Sequence, residues 1–168
     1  MFTVITDGQG GRNVSVENVK SYLARFGVDD RVMEFETSSA TVELAAEAVG
    51  TEPARIAKTL SFAVGDECIL VVTAGDMKID NKKFKNCFGV KAKMLSLDAV
   101  ESMTGHPVGG VCPFGVKQGV KIYLDDSMKR FDSVYPAAGS SNSAVEMTCD
   151  ELMQFSNAEA WVDVCKES

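Results

Sequence analysis

Apolar residues recur at helical spacing in the first third of the chain and alternate as in strands further along. Between Ser15, a residue type favoured at helix N-caps, and Gly27, apolar side chains lie three or four positions apart. These positions are Val16, Val19, Tyr22, Leu23 and Phe26. The pattern predicts an amphipathic helix that begins after Ser15 and ends at Gly27.

In the next segment, residues 31–57, the spacing of apolar residues changes from a strand pattern to a helical one. Arg31–Glu36 alternates between apolar and charged residues, which predicts a strand. Ser39 or Thr41 is then in position to open a second helix, which Gly50 would end. Proline suits the first turn of a helix, so we expect a short third helix over Pro53–Ala57.

Two strands joined by a short glycine-containing link follow. The strands are expected over Lys58–Val64 and Cys68–Thr73, with Gly65-Asp66-Glu67 between them. A link of this length indicates an antiparallel hairpin. The second strand is apolar on both faces, which predicts a central place in its sheet.

The remaining chain predicts three more helices and four more strands. We expect a lysine-rich helix capped by Asp80 and ended by Gly89, a helix over Asp98–Met103, and a last helix capped by Thr148 or Asp150. The expected strands are Val90–Met94, Lys121–Leu124, Ala144–Met147 and Ala160–Val164. Because no regular βαβ alternation is present, a doubly wound parallel sheet is not expected. The pattern favours one α/β or α+β domain over residues 1–168, built on a mixed, mainly antiparallel sheet flanked by helices.

Lys58 interrupts an apolar strand face. Counting by two, it shares that face with Leu60, Phe62 and Val64. An unpaired ammonium is costly to bury, so the stem is expected to pack on the core while the amine reaches into a pocket. A binding or catalytic lysine is presented in this way, although a lysine at a strand end also commonly extends into water without a specific role.

A glycine- and proline-rich segment is the second candidate for chemistry. Residues Gly105–Gly115 contain four glycines and two prolines, which allow a close and fixed approach of backbone to a ligand. The segment lacks a phosphate-loop signature. It is expected to line a pocket, and the alternative is a rigid turn that packs Val111 and Phe114 on the core. His106 could act as a general acid or base, donate a hydrogen bond, or simply be exposed.

A third segment, Tyr135–Ala144, is small and polar. Its serine hydroxyls and the Asn142 amide could bind a polar ligand. They could equally form local turn hydrogen bonds, which is the commoner role of serine and asparagine in loops.

Composition limits the classes of function. The 168 residues carry a net charge of −7, which argues against a general nucleic-acid binder. Lysines nevertheless cluster between positions 78 and 93, where they could meet a polyanion or form an ordinary solvated helix face. They are Lys78, Lys82, Lys83, Lys85, Lys91 and Lys93. No apolar run approaches a membrane span and no signal sequence is evident, so a cytoplasmic protein is expected.

The five cysteines and one histidine do not suggest a metal site or a nucleophilic triad. The cysteines include no CxxC pair, and a single histidine is too few for a zinc site of the usual spacing. No metal or other cofactor is therefore expected. Cys112 lies inside the glycine-rich segment, which leaves a thiol-based redox protein as the least favoured alternative.

Three sequence features together resemble the YbaK and prolyl-tRNA-synthetase-associated editing family. They are Ile56-Ala57-Lys58-Thr59-Leu60, the run from Gly75-Asp76 to Lys83, and Gly109-Gly110-Val111-Cys112-Pro113-Phe114-Gly115. The likeness covers roughly Val42 to Leu152. It implies a mixed sheet flanked by helices and an aminoacyl-tRNA deacylase that uses neither a metal nor a covalent nucleophile.

The resemblance also implies roles for individual residues. Lys58 occupies the position of the catalytic lysine, and Gly109 and Pro113 match a Gly-x-x-x-Pro element that lines the aminoacyl pocket. Some members carry Asn where this chain has Thr59. The expected substrate-binding residues are Thr59, His106, Gly109, Gly110, Val111, Cys112, Pro113, Gly139, Ser140 and Asn142, and the expected tRNA-binding residues are Lys78, Lys82, Lys83 and Lys85.

The implied partner is a mischarged tRNA, with the protein acting in trans. Alanine or cysteine on tRNA(Pro) is the frequent target in the family, and the excluded amino acid would be the correct larger one. The alternative is a non-catalytic module of the same fold that binds tRNA or a small ligand. The sequence leaves open the oligomeric state and whether an aminoacyl-tRNA synthetase takes part.

Overall fold

The computed structural model describes residues 7–36 and 41–168, with side chains described from residue 14 onward. Within these ranges the α-helices are α1 (Asp7–Ala24), α2 (Val42–Val49), α3 (Asn81–Phe88), α4 (Leu97–Thr104) and α5 (Cys149–Ser156). Short 3₁₀ helices lie at Asp29–Arg31, Pro53–Arg55 and Asp126–Arg130. The strands are β1 (Met33–Glu34), β2 (Ile56–Val64), β3 (Glu67–Ala74), β4 (Met77–Ile79), β5 (Lys121–Asp125), β6 (Ser133–Pro136), β7 (Ser143–Ala144), β8 (Met147–Thr148), β9 (Ala160–Val162) and β10 (Cys165–Glu167).

A six-stranded sheet in the order β8-β6-β2-β3-β5-β9 forms the centre of the protein. Strands β2 and β3 form the expected antiparallel hairpin, in which Val64 lies opposite Glu67. Two small antiparallel pairs, β1–β7 and β4–β10, complete the described pairings. Four of the seven described strand pairings are antiparallel, and three within the central sheet, β2–β6, β3–β5 and β5–β9, are parallel. The predicted mixed, mainly antiparallel sheet flanked by helices is confirmed.

Strand β3 is central because both of its faces are covered. Leu70 and Val72 lie in a core with α1 and α5, while Ile69 and Val71 lie in a second core with Phe84 of α3. The uninterrupted apolar run of this strand predicted such a position, and the prediction is confirmed.

Several helix boundaries follow the expected capping chemistry. The Asp80 carboxylate accepts hydrogen bonds from the backbone N–H groups of Lys82 and Lys83 at the start of α3. Thr148 and Glu151 form a reciprocal capping box at the start of α5. Thr41 caps α2, whereas Ser39 lies outside the described residues.

Helix α1 begins earlier than the sequence pattern indicated. It begins at Asp7, so Ser15 lies inside the helix and is not its N-cap. Ser15 is buried, and its hydroxyl bonds His106 at 2.7 Å. The segment before Ser15 is rich in glycine, a poor helix former, which is why the residue pattern did not predict a helix there.

Other segments also depart from the expected pattern. The short helix after Pro53 ends at Arg55, because Ile56 already belongs to β2. Val90–Met94 is not a strand, although Met94 forms an isolated bridge with Phe62. None of the helices in the described part of the chain combines the length and apolarity needed to cross a membrane.

Candidate functional site

Strand β2 has an open stretch along one edge. Its first residues, Ile56 and Ala57, pair with β6. Further along the same edge, the N–H of Ala63 donates to Lys93 and the carbonyl of Ser61 accepts from Leu95. Among the described residues no strand pairs with this edge between those two points. Lys58, Thr59 and Leu60 therefore border a gap in the sheet.

The direction of the backbone groups in this gap follows from strand alternation. The two-residue turn makes Val64 and Glu67 the first hydrogen-bonded pair of the hairpin, so even-numbered residues of β2 direct their backbone groups to β3. Odd-numbered residues direct theirs to the other edge, as the Ser61 and Ala63 hydrogen bonds show. The N–H and C=O of Thr59 consequently face the gap.

A cavity of about 220 Å³ lies at this gap. Strand β2, helix α2 and the two loop segments singled out in the sequence all contribute to its wall. The lining residues are Thr41, Val42, Ala45, Ile56, Ala57, Lys58, Thr59, Gly109, Val111, Tyr135, Ala137, Ser140, Ser141, Ser143 and Ala144. Residues from both faces of β2 take part, as expected for a cavity at a strand edge.

Lys58 is half-buried in the cavity wall. Its strand neighbours Leu60 and Phe62 pack in the core that contains Phe84, so the predicted arrangement of the strand face is confirmed. The Lys58 ammonium forms no hydrogen bond or ion pair with any residue that the structure describes. Its ammonium is therefore available to a ligand.

Asp76 supplies a carboxylate near this ammonium. Both of its oxygens accept hydrogen bonds from Arg130, at 2.7 and 3.0 Å. These bonds, with a smaller contribution from the charge of Lys58, hold the pKa of Asp76 below its ordinary value. Asp76 stays ionised and fixed by Arg130.

Thr59 lines the same cavity from the opposite strand face. Its hydroxyl oxygen is buried and has no hydrogen-bond partner among the described residues. A buried unpaired hydroxyl costs free energy, which a ligand or a water could recover after rotation of the side chain. The expected contact between Thr59 and a substrate is compatible with this position.

The glycine-rich segment contributes to the wall at two points. Gly109 and Val111 line the cavity, whereas Gly110 and Pro113 are buried. Gly110 contacts the second loop so closely that a Cβ at this position would lie 2.6 Å from the Gly139 carbonyl oxygen. The close contact between Gly110 and Gly139 thus supports the residues that line the wall. Pro113 is buried in the same segment.

His106 and Cys112 are not on the cavity wall. The His106 ring is fully buried, where its Nε2–H donates to the Phe114 carbonyl and its Nδ1 accepts from the Ser15 hydroxyl, both at 2.7 Å. Burial lowers the pKa of His106. The expectation of a substrate contact is not supported, because both ring nitrogens already bond protein groups.

Cys112 is likewise completely buried. Burial raises the pKa of its thiol to about 12, which leaves almost no reactive thiolate at neutral pH. Its position supports neither the expected substrate contact nor the redox alternative. The segment around it therefore combines a pocket wall with a packed core element.

The Tyr135–Ala144 segment is held mainly by its own hydrogen bonds. The Ser140 hydroxyl donates to the Asn142 side-chain oxygen at 2.7 Å and lies 2.9 Å from the Ser143 hydroxyl, and the Asn142 side-chain amide donates to the Phe35 carbonyl at 2.7 Å. Asn142 is not among the lining residues, so its expected substrate contact is not supported. The local turn bonds that the sequence left as an alternative are the ones observed.

The four expected tRNA-binding lysines have different surroundings. Lys78 is exposed opposite Lys166 in the β4–β10 pair. Lys82 and Lys85 are exposed and line a second concavity with Asn81, Lys91 and Ala92. Lys83 instead donates to Asp163 at 3.1 Å and to the Cys165 carbonyl at 2.9 Å. Its role in tRNA binding is therefore less well supported than that of the other three.

Sequence reasoning missed one whole wall of the cavity. Thr41, Val42 and Ala45 come from α2, whose amphipathic pattern indicated only a helix. Tyr135 was named only as the start of a polar loop. Burial and nearby Glu146 raise the pKa of Tyr135, which keeps its phenol protonated at neutral pH.

No group of three or more His, Cys, Asp or Glu in the described part of the chain is arranged to hold a metal ion.

Comparison with known proteins gives a consistent result. The aminoacyl-tRNA editing domain family matches residues 36–155. The chain is 53% identical over 155 residues to the uncharacterized protein YwhH of Bacillus subtilis (strain 168), covering 92% of this chain and 99% of YwhH. It is 30% identical over 122 residues to EbsC of Enterococcus faecalis (strain ATCC 700802 / V583), a proposed Cys-tRNA(Pro)/Cys-tRNA(Cys) deacylase, covering 71% of this chain and 74% of EbsC.

Longer proteins and solved structures add to this picture. The chain is 25% identical to a segment of the proline–tRNA ligase of Bacillus cytotoxicus, covering 76% of this chain and 25% of the ligase. The crystal structure of a proposed trans-editing enzyme for prolyl-tRNA synthetase superimposes with a TM-score of 0.83 at 27% identity, covering 90% of this chain and 97% of that one.

Proposed function

Because the chain belongs to the aminoacyl-tRNA editing domain family, we propose that the Lys58 cavity is where it hydrolyses the ester of a mischarged aminoacyl-tRNA. The observation that carries this proposal is the position of Lys58. Its ammonium is unpaired among the described residues and borders a cavity at an open strand edge, beside the glycine-rich loop. Such a site offers a positive charge and a backbone N–H to one small ligand.

The proposed chemistry follows from these two groups. The Lys58 ammonium binds the ester carbonyl or the terminal ribose by charge-assisted hydrogen bonds. The Thr59 N–H, which faces the gap, donates to the oxygen that becomes negative as water attacks. The water oxygen bonds to the carbonyl carbon, the ester C–O bond breaks, and the ribose oxygen leaves with a proton. The free amino acid and the intact tRNA are the products.

A hydroxyl of the terminal ribose is proposed to hold the attacking water. The cavity wall contains no histidine, and Cys112 is buried away from it. A substrate hydroxyl would supply the polar group that orients the water. This assignment agrees with what the resemblance implies, a deacylase that uses neither a metal nor a covalent nucleophile.

The wall composition supports a small amino acid as the substrate. Alanine side chains at positions 45, 57, 137 and 144 leave the space open, while Val42, Ile56 and Tyr135 limit it. We propose alanine or cysteine, with tRNA(Pro) as the carrier, since EbsC is proposed to act on Cys-tRNA(Pro). The correct, larger amino acid would be excluded by volume.

Action in trans is supported by the relatives that the chain matches over most of their own length. The chain aligns with 99% of YwhH and with 74% of EbsC, whereas it matches only a quarter of the proline–tRNA ligase. We therefore propose that residues 1–168 form one editing domain that acts on the mischarged tRNA in trans.

A panel of mischarged tRNAs tests the proposal. The purified protein is incubated with Ala-, Cys-, Ser- and Pro-tRNA(Pro), and release of the amino acid is followed against the spontaneous rate. Hydrolysis of one or more small amino acids with Pro-tRNA(Pro) spared is expected. Binding of tRNA without hydrolysis of any of these substrates would favour the non-catalytic binding module and contradict the proposal.

A further inference from the structure

A second concavity lies away from the Lys58 cavity, at the start of α3. It is lined by Asn81, Lys82, Lys85, Lys91 and Ala92 and has a volume of about 410 Å³. All three lysines are exposed. Two come from α3 and the third from the segment that follows it, so the fold brings these charges together.

The three ammonium groups are not neutralised by the protein. Lys82, Lys85 and Lys91 form no ion pair with any residue in the described part of the chain. The neighbouring Lys83, by contrast, binds Asp163 and the Cys165 carbonyl. The chain has a net charge of −7, but these three unpaired lysines make the surface around the concavity positively charged.

The helix terminus itself is not the source of this positive charge. Asp80 already accepts hydrogen bonds from the backbone N–H groups of Lys82 and Lys83, which occupies the N-terminus of α3. The capacity of the concavity to bind an anion therefore rests on the lysine side chains and on the amide of Asn81. Separate ammonium groups around a shallow surface suit an anion with several spaced charges, as in a nucleic-acid backbone.

The concavity lies on the same face of the sheet as the Lys58 side chain. Phe84 of α3 packs against Phe62, which shares its strand face with Lys58. Phe62 lies four positions along the strand from Lys58, or about 13 Å at roughly 3.3 Å per residue. The segment that carries Lys91 then joins the β2 edge, because Met94 bridges Phe62.

The stretch of β2 from Lys58 to Phe62, against which α3 packs, is as long as a short piece of RNA. About 13 Å corresponds to roughly four stacked nucleotides at about 3.4 Å each. An RNA strand whose aminoacylated end lies in the Lys58 cavity would pass its preceding phosphates toward Lys91 and α3. We propose that Lys82, Lys85 and Lys91 bind phosphates of the tRNA acceptor strand, an inference that rests on the proposed function of the Lys58 cavity.

The three lysines are expected to affect binding of the RNA and not hydrolysis of the ester. The test uses a variant with Lys82→Gln, Lys85→Gln and Lys91→Gln. A control with Lys117→Gln, Lys121→Gln and Lys129→Gln removes the same charge from exposed lysines elsewhere. Each protein is assayed on a full-length mischarged tRNA and on a short aminoacylated trinucleotide that lacks the acceptor stem.

We expect kcat/KM of the concavity variant to fall at least tenfold on the full-length tRNA, with little change on the trinucleotide. The dependence of log kcat/KM on log salt should also become shallower, by up to about one unit per lysine that contacts a phosphate. The control should retain both the rate and the salt dependence of the wild type. Equal loss on the two substrates, or equal loss in the control, would overturn the proposal.

Equilibrium binding of uncharged tRNA to the same three proteins gives a readout that does not need hydrolysis. Weaker binding by the concavity variant alone supports the proposed surface even if the wild type hydrolyses no ester, in which case only the proposed function fails. Unchanged binding overturns the proposed surface, whatever the hydrolysis assay shows. If the concavity instead binds an acidic protein, full-length tRNA would not displace that protein from it. That outcome would also contradict the proposal.

Discussion

Gly110 and Gly139 lie in direct contact, although they are 29 positions apart in the sequence. A Cβ on Gly110 would lie 2.6 Å from the Gly139 carbonyl oxygen, and a Cβ on Gly139 would lie 2.8 Å from the Ser15 carbonyl oxygen. Two loops and helix α1 are therefore stacked at van der Waals distance behind the cavity. This contact sets the position of Gly109 and Val111 in the cavity wall.

Gly110→Ala is expected to separate the two loops. The added methyl group meets backbone atoms that cannot move independently, so overpacking should lower the free energy of unfolding by about 1 to 3 kcal/mol and reduce hydrolysis. The comparison is Gly119→Ala, where nothing lies near the added Cβ and only a left-handed backbone with φ of +95° is disfavoured, at a cost of about 1 kcal/mol. Chemical denaturation and the deacylation assay measure both effects. A Gly110→Ala protein with wild-type stability and rate would show that the loop contact is unimportant.

Ala45→Leu is expected to change which amino acids are hydrolysed. Ala45 projects from α2 into the cavity wall, so a larger side chain there reduces the available volume. Hydrolysis of the larger accepted amino acid should fall by about 10- to 200-fold relative to that of alanine, the range that a single methylene group provides in a pocket. Leu44→Ala, at an exposed neighbouring position, is the matched control. If Ala45→Leu lowered all rates by the same factor, Ala45 would not contribute to selection by size.

His106 is expected to remain neutral in the folded protein at mildly acidic pH. Its burial lowers the folded-state pKa below the ordinary value of about 6.5, partly opposed by the hydrogen bond to Phe114 and the charge of Glu101. The unfolded chain therefore takes up this proton at a higher pH than the folded chain. As pH falls below about 6.5, His106 lowers the free energy of unfolding by at most about 1.4 kcal/mol per pH unit, and above that pH it has no such effect.

NMR measures this directly, because the chain contains one histidine. The imidazole proton signals should titrate below pH 6.5, or shift only when the protein unfolds. A His106→Gln variant should show a smaller loss of stability between pH 7 and pH 5 than the wild type. Titration of the native imidazole at or above its ordinary pKa would contradict the buried, hydrogen-bonded position.

Cysteine labelling is expected to distinguish core thiols from surface thiols. Cys87 is exposed, whereas Cys112 is buried with a pKa raised to about 12. Iodoacetamide should modify Cys87 in the native protein and Cys112 only after unfolding, as mass spectrometry of peptides would show. Cys112→Ser should retain ester hydrolysis. Rapid native labelling of Cys112 with loss of activity would restore the thiol-based alternative.

Local sequence signals were sufficient for much of the fold. The β2–β3 hairpin was predictable because Gly65-Asp66 is a short turn between an alternating segment and a continuous apolar segment. Helices α3 and α5 were predictable because Asp80 and Thr148 are strong caps. These features depend on residues within a few positions of each other, which is the range over which sequence patterns are informative.

Long-range contacts explain what the sequence did not reveal. Serine is a residue type favoured at N-caps, but the hydrogen-bond partner of the Ser15 hydroxyl is His106, 91 positions away. The pairing of β4 with β10 and the contribution of Tyr135 to the cavity likewise depend on segments that are distant in sequence. Lys58 and the glycine-rich loop could be identified from their composition and their order, whereas the burial of His106 required the fold.

Substitution of Lys58 tests the central claim most directly. Lys58→Met removes the charge and retains much of the stem, while Lys58→Arg retains the charge and alters its geometry. Because the ammonium is unpaired among the described residues, Lys58→Met should keep a melting temperature close to that of the wild type. Its kcat on the preferred mischarged tRNA should fall at least about 100-fold, the loss typical of removing one group that stabilises the transition state. A folded Lys58→Met protein that hydrolyses the ester at the wild-type rate would contradict the assignment of the cavity as the site of hydrolysis.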